Sequence, residues 1–441
     1  MNTQNKKTFG TIRQLIFSFL ALGITISVIG CGTAKKNQQT IQLMWWGDTY
    51  NKPFAERLAR HYNKTKPSVP VEVYAPAQGQ AYRDKIVTLA AGDMLPDILL
   101  VVKPDVNDLA HRNTIYEISS FLDRDDFRQI REQFWPGLMD DISLNGKYYG
   151  FPLWTWTVGI YYNSELFTRH GVTPPQEGWH WNDFLNMAKK MTITENKLKT
   201  FGTAILGGNQ MHLQNIILRI MFKQNDLNYF SEDMSKCLIN TPESKTIVDW
   251  ACRLQKVHGV TMNASDLQNA GEGTPGGIFG TGRVGMVIGG RDQADVFTKT
   301  GISFNWDVAP LPIWQKEAYI RYNVYLVVSK KTKNLEGALD FIKYAIGEPG
   351  QRVITLSRSD VTVRRKLAYS DDFINFLNRP AVNTVFRSAL EKAVPDFNTF
   401  RNEKEFYERA KNRFEEYLQG SKYTLDQVLF ETVKDYQQFK D

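Results

Sequence analysis

The sequence predicts an α/β fold organised in two lobes. Short apolar runs that are typical of strands alternate with helical patterns along most of the chain, which is the arrangement of α/β architecture. The chain has 441 residues, enough for two hydrophobic cores rather than one. It contains no internal repeat and no low-complexity tract, so repeat architectures are not expected.

The first elements show this alternation clearly. TIQLMWW (40–46) is predicted to be a strand, and apolar residues at helical spacing follow over 55–62 behind Pro53, a residue suited to the first turn of a helix. VPVEVY (69–74) alternates, and PDILLVV (96–102) is a continuous apolar run that fits a buried strand. Later apolar periodicities predict helices around 184–191, 338–345 and 407–417.

Residues 1–30 are predicted to be a secretory signal peptide. Basic side chains precede an apolar run over 15–29, which is shorter than the roughly twenty residues that a membrane-spanning helix needs. Gly30 followed by Cys31 resembles the lipobox of bacterial lipoproteins, which implies that Cys31 carries the lipid. The alternative is an ordinary or uncleaved signal with a chance cysteine. Residues 31–39 are small and polar, as in a flexible tether.

Charge and cysteine content narrow the partners of the mature chain. Removal of residues 1–30 takes away three basic and no acidic side chains, which lowers the net charge from +7 to +4. So small a surplus, without a basic block, argues against nucleic-acid binding.

Beyond Cys31 the chain has only Cys237 and Cys252. They could form one disulfide or remain two buried thiols, and the sequence leaves both possibilities open.

Several motifs that would indicate chemistry are incomplete. GEGTPG starts at Gly271 and GTGRVG at Gly280, but a dinucleotide site needs a strand that leads through the glycines into a helix. The first pattern is interrupted by Pro275, and the second runs into MVIGG, which resembles a strand. The six histidines show no close metal spacing, and the sequence has neither a nucleophile elbow nor a P-loop. We therefore expect no cofactor, no metal and no catalysis.

Aromatic residues are concentrated in YYGFPLWTWTVGIYYN (148–163). Pro152 restricts the backbone there and could steer the chain from one lobe to the other. Alternation from Trp154 onward places Trp154, Trp156, Ile160 and Tyr162 on one face of a strand. We expect Ile160 and Tyr162 to belong to the core, and we take Trp154 and Trp156 as candidate ligand contacts.

A series of landmarks in order resembles the extracellular solute-binding proteins of ABC importers, and within them the sugar-binding group that includes the maltose-binding protein. These landmarks are GDMLPDILL (92–100), LNGKYYGFPL (144–153), IYYNSELFTRHGVTPPQEGWHWNDF (160–184), FGTGRVGMVIGG (279–290), DVAPLP (307–312) and VSKKTKNLEGALDFIKYAIGEPGQ (328–351). The resemblance implies a periplasmic-binding-protein-like type II fold, in which two α/β lobes joined by crossing hinge segments close on a ligand.

The resemblance also implies the domain boundaries and the partners. Lobe 1 is expected to comprise residues 40–154 and 311–352, and lobe 2 residues 155–310 and 353–441. The protein would be an extracytoplasmic, lipid-anchored monomer that captures a carbohydrate, with an oligosaccharide preferred. It would deliver that ligand to the permease subunits of an ABC importer in the membrane.

Candidate ligand residues follow from the matching positions. Trp46 and Asp48 come directly after the first predicted strand, and alternation with Ile41 and Leu43 assigns Trp45 to the core. The alternative for Asp48 is a helix N-cap or a turn.

A second group of candidates follows the predicted strand RVGMVI. It comprises Gly289, Gly290, Arg291 and Asp292, and the alternative for Arg291 is a purely structural pairing with Asp292 or with the opposite lobe. Further candidates, scattered along the chain, are Gln80, Asp105, His212, Tyr322, Arg364 and Phe397. His212 could equally be a lone core or surface histidine.

Two other functions compete with this interpretation. A surface carbohydrate-active enzyme would also have a tryptophan-rich cleft, but it would need two carboxyl groups that flank the scissile bond. A sugar sensor subunit would bind the ligand without transporting it. The sequence does not separate a sensor from an importer component.

Overall fold

The computed structural model describes residues 40–195, 198–206, 213–269, 276–357, 360–396, 400 and 402–440. The predicted signal peptide and tether, Cys31, His212, Phe397 and most of the glycine pattern that begins at Gly271 lie outside these ranges.

The strands within the described residues are short. They are β1 (Ile41–Met44), β2 (Val71–Tyr74), β3 (Ile98–Val102), β4 (Ser143–Leu144), β5 (Lys147–Tyr148), β6 (Phe151–Trp156), β7 (Gly159–Asn163), β8 (Thr194–Glu195), β9 (Leu198–Lys199), β10 (Phe201–Thr203), β11 (Val284–Gly289), β12 (Trp306–Ala309), β13 (Tyr319–Ile320), β14 (Tyr322–Val328), β15 (Val361–Thr362) and β16 (Ala393–Val394).

Helices surround these strands. They are α1 (Asn51–Asn63), α2 (Gly79–Ala91), α3 (Lys103–His111), α4 (Ser119–Leu122), α5 (Asp125–Arg131), α6 (Ser164–Arg169), α7 (Trp181–Met191), α8 (Ile216–Gln224), α9 (Pro242–Lys256), α10 (Ala264–Asn269), α11 (Gly277–Gly280), α12 (Asp292–Thr300), α13 (Leu335–Ile346), α14 (Glu348–Ser357), α15 (Asp371–Ile374), α16 (Pro380–Glu391), α17 (Glu403–Leu418) and α18 (Leu425–Phe439). Short 3₁₀ helices span Asp140–Ile142, Arg365–Tyr369 and Phe376–Asn378.

Six strands form one sheet, which we call the first sheet, in the order β15-β6-β14-β3-β1-β2. β1 pairs in parallel with both β2 and β3, whereas β14 is antiparallel to β3 and to β6. β3 and β6 therefore point in the same direction as β1. The predicted strands at 40–46, 69–74 and 96–102 are confirmed, and Leu99 and Leu100 of β3 are completely buried, as a strand covered on both faces requires.

A second sheet has the order β10-β11-β7-β12. Its central strand β7 is antiparallel to β11 and β12, and β10 is parallel to β11. Neighbouring residues of β7 are buried in different cores. Tyr161 packs against Phe297 and Trp306, and Ile160 lies in the core that contains α7 and α8. The expectation that Ile160 is core is confirmed; Tyr162 is half-buried and packs on Phe167.

The chain crosses between the two sheets at places that differ in part from the expected boundaries. It leaves β6 at Trp156, enters β7 at Gly159, and returns between Ala309 and Tyr322. The expected second lobe includes residues 353–441, but Val361 and Thr362 form β15, which pairs with β6 in the first sheet. A strand of two residues is too short to produce an alternating pattern, so no periodicity predicts it.

Cys237 and Cys252 are free and buried. Cys237 lies in the same core as Cys252, and burial raises the pKa of the Cys237 thiol to about 12. Burial raises the pKa of the Cys252 thiol as well. Both side chains therefore act as small apolar core residues that stay protonated at neutral pH.

Gly202 is the tightest glycine position in the second sheet. A Cβ atom there would overlap the backbone of Ala188 in α7, because β10 and α7 are in direct contact at this point. We expect Gly202→Ala to lower the free energy of unfolding by about 1–3 kcal/mol, since the helix must move away from the strand. Urea denaturation measures this change.

Gly92→Ala is the matched control. A Cβ atom at Gly92 would approach the end of Met94 at 2.9 Å and the Thr88 carbonyl at 3.5 Å, an ordinary contact distance, and the Met94 side chain is flexible and 64% exposed. We expect a change within about 0.5 kcal/mol. Equal losses in the two variants would contradict the proposed strand–helix contact.

Candidate functional site

The carboxyl ends of β1, β3 and β6 meet at one edge of the first sheet, because these strands run in the same direction. Trp46 follows β1, Lys103 follows β3, and Trp156 ends β6. β14 runs the opposite way, so its first residue, Tyr322, lies at the same edge. Ligands of open α/β sheets bind outside the carboxyl ends of the strands. This edge, together with the residues that face it from the second sheet, is the candidate site, which we call the cleft.

Trp156 and Tyr322 form a stacked pair at this edge. They are paired residues on adjacent strands, their ring centroids are 4.8 Å apart, and the rings are inclined by only 18°. Both side chains are half-buried. A Cβ atom built on Gly290 would lie 3.6 Å from Cε3 of Trp156, so the turn after β11 approaches the same indole. Two candidates from the sequence, Trp156 and Tyr322, are thus in contact, and a third, Gly290, adjoins them.

A buried network fixes the backbone on both sides of Tyr322. Asp141 Oδ2 accepts hydrogen bonds from Arg321 Nε and from Asn323 Nδ2, each at 2.6 Å. Arg321 also donates to the carbonyl of Pro136 at 3.0 Å. Burial raises the pKa of Asp141, and its bonds to Arg321 and Asn323 oppose that effect. Since both neighbours of Tyr322 are held, its ring has a defined position beside Trp156.

Arg219 and Asp396 form an ion pair next to the aromatic pair. Arg219 Nη2 and Asp396 Oδ1 are 2.8 Å apart, and the two side chains are only 10% and 15% exposed to solvent. Arg219 Nη1 also lies 3.5 Å from the Tyr322 hydroxyl. Burial alone would lower the pKa of Arg219, but Asp396 and nearby tyrosines raise it overall. The guanidinium therefore remains charged, and it belongs to α8 on the side of the second sheet.

Three further ionisable groups surround this pair: Lys103, Lys223 and Glu403. Burial lowers the pKa of Lys103, and Asp141 opposes this shift. Burial lowers the pKa of Lys223 to about 8 and raises the pKa of Glu403 to about 7. Shifted groups that gather in one cleft are typical of binding and catalytic sites. A pocket of about 480 Å³ is lined by Lys223 and Asp396, and its lining does not include Lys103, Trp156 or Tyr322, so it adjoins this charged group rather than the aromatic pair.

Trp46 lies at the cleft edge, and Trp45 and Trp154 do not. Trp45 is completely buried, as alternation predicted, and Trp154 is 1% exposed. The Trp154 ring lies 5.6 Å from Trp45 and 6.0 Å from Trp46. The interpretation of Trp154 as a ligand contact is therefore corrected: its indole supports half-buried Trp46 from within the core.

Two acidic candidates accept hydrogen bonds from backbone N–H groups near the starts of helices. Asp48 Oδ1 accepts hydrogen bonds from the backbone N–H groups of Tyr50 and Asn51, at 2.9 and 2.7 Å. This is the turn alternative named for Asp48, and its other oxygen, Oδ2, accepts a hydrogen bond from Asn51 Nδ2 at 2.7 Å. Asp105 accepts from the Val102 N–H at 3.4 Å, and it forms an ion pair with Arg83 at 3.7 Å. Neither carboxylate is arranged mainly toward a ligand.

The interpretation of Arg291 as a ligand contact is also corrected, because this side chain is only 1% exposed. Its Nε donates to Asn383 Oδ1 at 2.7 Å and its Nη1 to the Asp360 carbonyl at 3.0 Å. The guanidinium lies over the rings of Phe373 and Phe376. This is a structural pairing of the kind named as the alternative, and its partners include Asn383 and the Asp360 backbone. Arg291 joins the start of α12 to the segment that returns from the first sheet.

The remaining candidates do not gather at the cleft edge. Asp292 begins α12, and its carboxylate accepts from Gln293 Nε2 at 3.1 Å. Arg364 is 7% exposed and bonds to Gln133, so it fastens the chain beside β15. Gln80 is exposed on α2 and bonds to Asp84.

The sequence interpretation missed Lys103, Arg219, Lys223, Asp396 and Glu403. One signal could have identified Arg219. It is the single charged residue in the run IILRIMF, and a charge on a buried helix face needs a partner. Its partner Asp396 is remote in sequence, and no local pattern connects the two.

Two further observations concern metals and membranes. Within the described ranges, no three His, Cys, Asp or Glu side chains come together as a metal site would require. In the same part of the chain, no helix has both the length and the apolar character that crossing a bilayer would demand.

Comparison with known proteins identifies the fold. An ABC substrate-binding protein from Listeria monocytogenes in complex with cycloalternan superposes with a TM-score of 0.78 and 20% identity, covering 91% of this chain and 99% of that one. A maltose-bound protein described as T. maritima MalE3 gives a TM-score of 0.72 and 18% identity, over 90% and 99% of the two chains. The fold is that of the type II periplasmic binding proteins, with two α/β lobes.

Sequence relatives agree with this assignment. The arabinooligosaccharide-binding protein of Bacillus subtilis (strain 168) is 22% identical over 348 residues, which cover 75% of each chain. The lactose-binding protein of Rhizobium radiobacter is 22% identical over 300 residues, 66% of this chain and 67% of that one. The family profile described as "Bacterial extracellular solute-binding protein" matches residues 46–352. The chain therefore belongs to the bacterial extracellular solute-binding proteins.

Proposed function

We propose that this protein captures a carbohydrate, preferably an oligosaccharide, in the cleft and delivers it to the permease of an ABC importer. The observation that carries the proposal is the stacked pair of Trp156 and Tyr322 beside the ion pair of Arg219 and Asp396. A sugar has an apolar C–H face that a ring can cover and a rim of hydroxyls that charged groups can bind. The named ligands of the relatives, arabinooligosaccharide and lactose, are of the same class.

The magnitudes show why the cleft combines rings with charges. Covering roughly 50 Å² of a sugar face at about 25 cal/mol/Å² contributes only about 1 kcal/mol per ring. A micromolar site needs about 8 kcal/mol. Charge-assisted hydrogen bonds to the hydroxyls contribute more binding free energy than the rings do. They also exclude ligands that leave the charged side chains unpaired. Closure of the lobes follows if the ligand binds the closed form better than the open one, through contacts from both sides.

In the proposed mechanism, each lobe is built around one of the two sheets. One comprises the first sheet and the other the second, with crossings at 156–159, 309–322 and near 375–379. The protein acts as a monomer and leaves its ligand chemically unchanged. Cys31 carries the lipid that holds the mature protein at the outer face of a membrane.

A glycan screen tests the proposed ligand class. Purified mature protein is titrated with neutral and acidic oligosaccharides, a polyamine, a peptide and a phosphorylated solute, while tryptophan fluorescence and calorimetry are recorded. We expect an oligosaccharide to bind with a Kd of about 1 μM, and chromatography should recover it unchanged. Binding of only the polyamine, peptide or phosphorylated solute would contradict the proposal. A cleaved sugar would contradict the absence of catalysis.

Trp156→Ala tests the aromatic platform. It removes one ring from the cleft and frees Tyr322, so we expect the affinity for the bound oligosaccharide to fall by about 5–30-fold, equivalent to about 1–2 kcal/mol. Calorimetry measures this loss. Trp314→Ala is the matched control, because Trp314 is also half-buried but packs on Trp250 away from the stacked pair. Equal losses of affinity in the two variants would show that Trp156 is not a ligand platform.

Cys31→Ser tests the anchor in a bacterial host that processes lipoproteins. The wild-type protein should incorporate radiolabelled palmitate and sediment with the membranes. The variant should lose the label, because serine offers no sulfur for acylation. Labelling that persists in the Cys31→Ser variant would overturn the proposed anchor.

A further inference from the structure

Resting on the proposed function, we infer that the cleft prefers a carbohydrate that carries a carboxylate group, of the uronic acid class. The carboxylate binds to the ammonium of Lys103. The position and the charge environment of this lysine support this preference.

Lys103 occupies a central place in the cleft. It is the first residue of α3 and follows β3, whose last residue, Val102, pairs with Val324 of β14. The side chain is half-buried. Among the described residues, its ammonium has no hydrogen-bond or ion-pair partner. A half-buried ammonium without a partner carries a desolvation cost that an anionic group would offset.

The charges around Lys103 come from both sides of the cleft. Asp141 lies on the side of the first sheet, and Arg219, Asp396 and Glu403 lie on the side of the second. These electrostatic neighbours place the ammonium where contacts from both lobes meet. A ligand group bound there would touch the protein from both sides, as closure requires.

Most carboxylates near Lys103 are already engaged. Asp141 is bound to Arg321 at 2.6 Å and Asp396 to Arg219 at 2.8 Å. Glu403 is the one of these three acids that has no ion-pair partner among the described residues. Its carboxylate accepts a hydrogen bond from the Phe400 backbone.

The ionisable side chains around Lys103 carry more positive than negative charge. Lys223, which donates to Asn228 at 2.7 Å, lies within electrostatic range of Lys103 and Arg219. These three cations face two carboxylates, Asp396 and Glu403. With Glu403 ionised, the surplus of one positive charge suits the single charge of a uronate better than the nearly two charges of a phosphate.

The pH dependence follows from the groups that face Glu403. These are Arg219 on α8, Asp396 after β16, Arg83 on α2 and Tyr407 on its own helix, in addition to Lys103 on α3. Because burial raises the pKa of Glu403 to about 7, its carboxyl is mostly neutral at pH 6 and mostly ionised at pH 8. A uronate stays ionised over this range. Its affinity should therefore fall as the pH rises, and loss of charge on Lys223 would act in the same direction.

The experiment compares acidic and neutral ligands of equal length on the mature protein. Calorimetry is carried out with galacturonate and glucuronate oligomers of about two to four residues and with the matching galactose and glucose oligomers. We expect an acidic oligomer to bind at least about tenfold more tightly than its neutral counterpart. Tighter binding of a neutral oligomer would overturn the inference and leave the proposed function intact. Tighter binding of a sugar phosphate would overturn the inference, and the proposed function would then stand only if an oligosaccharide also binds. If no carbohydrate binds, the proposed function fails as well.

Substitutions locate the recognised charge. Lys103→Met approximately keeps the side-chain length and removes the charge. It should weaken binding of the acidic ligand at least about tenfold and binding of the neutral ligand less than about twofold. Lys103→Arg should restore acidic binding, and Lys190→Met, at an exposed position of α7, should leave it unchanged. Equal losses for both ligands in Lys103→Met would indicate a structural role and overturn the inference.

A measurement on the wild-type protein keeps the inference testable if Lys103→Met does not fold. Acidic binding should weaken between about 50 and about 500 mM NaCl, because salt screens charge–charge attraction. It should also weaken from about pH 6 to about pH 8. Neutral binding should change little in either series, and equal dependence for the two ligands would overturn the inference.

Discussion

The direction of the strands in the first sheet is the constraint on which the site depends. β1, β3 and β6 point the same way, and β14 points the opposite way. Three carboxyl ends and one amino end therefore meet at one edge, which brings Trp46, Lys103, Trp156 and Tyr322 together from distant parts of the sequence. The second sheet is reached directly from β6, so the residues of α8 face this same edge. The topology, rather than any local motif, assembles the cleft.

Tertiary bonds then hold the assembled side chains in place. Asp141 fixes Arg321 and Asn323, the stack joins Tyr322 to Trp156, and core-buried Trp154 supports Trp46. A platform that is already ordered loses less conformational freedom when a ligand binds.

The sequence predicted the elements well and the site only in part. Apolar alternation was sufficient for β1 and for the burial of Trp45, since both depend on local spacing. It could not separate Trp154 from Trp156, because residues two apart share a face of a strand. Their difference comes from tertiary packing: the rings of Trp45, Trp46 and Phe54 enclose Trp154, whereas Trp156 ends the strand. The pairing of Arg219 with Asp396 was equally inaccessible, because its partners belong to different elements.

The charges of the cleft are hard to explain by stability alone. A buried ion pair such as Arg219 with Asp396 gains little over apolar residues of similar size, because desolvation offsets much of the attraction. A half-buried Lys103 and a Glu403 whose pKa is about 7 add further cost. These groups can, however, offer directional donors and acceptors to a polar ligand, which apolar residues cannot do. A cleft that carries such a cost without a ligand and recovers part of it on binding discriminates strongly among ligands, because a wrong one leaves the same charges desolvated and unpaired.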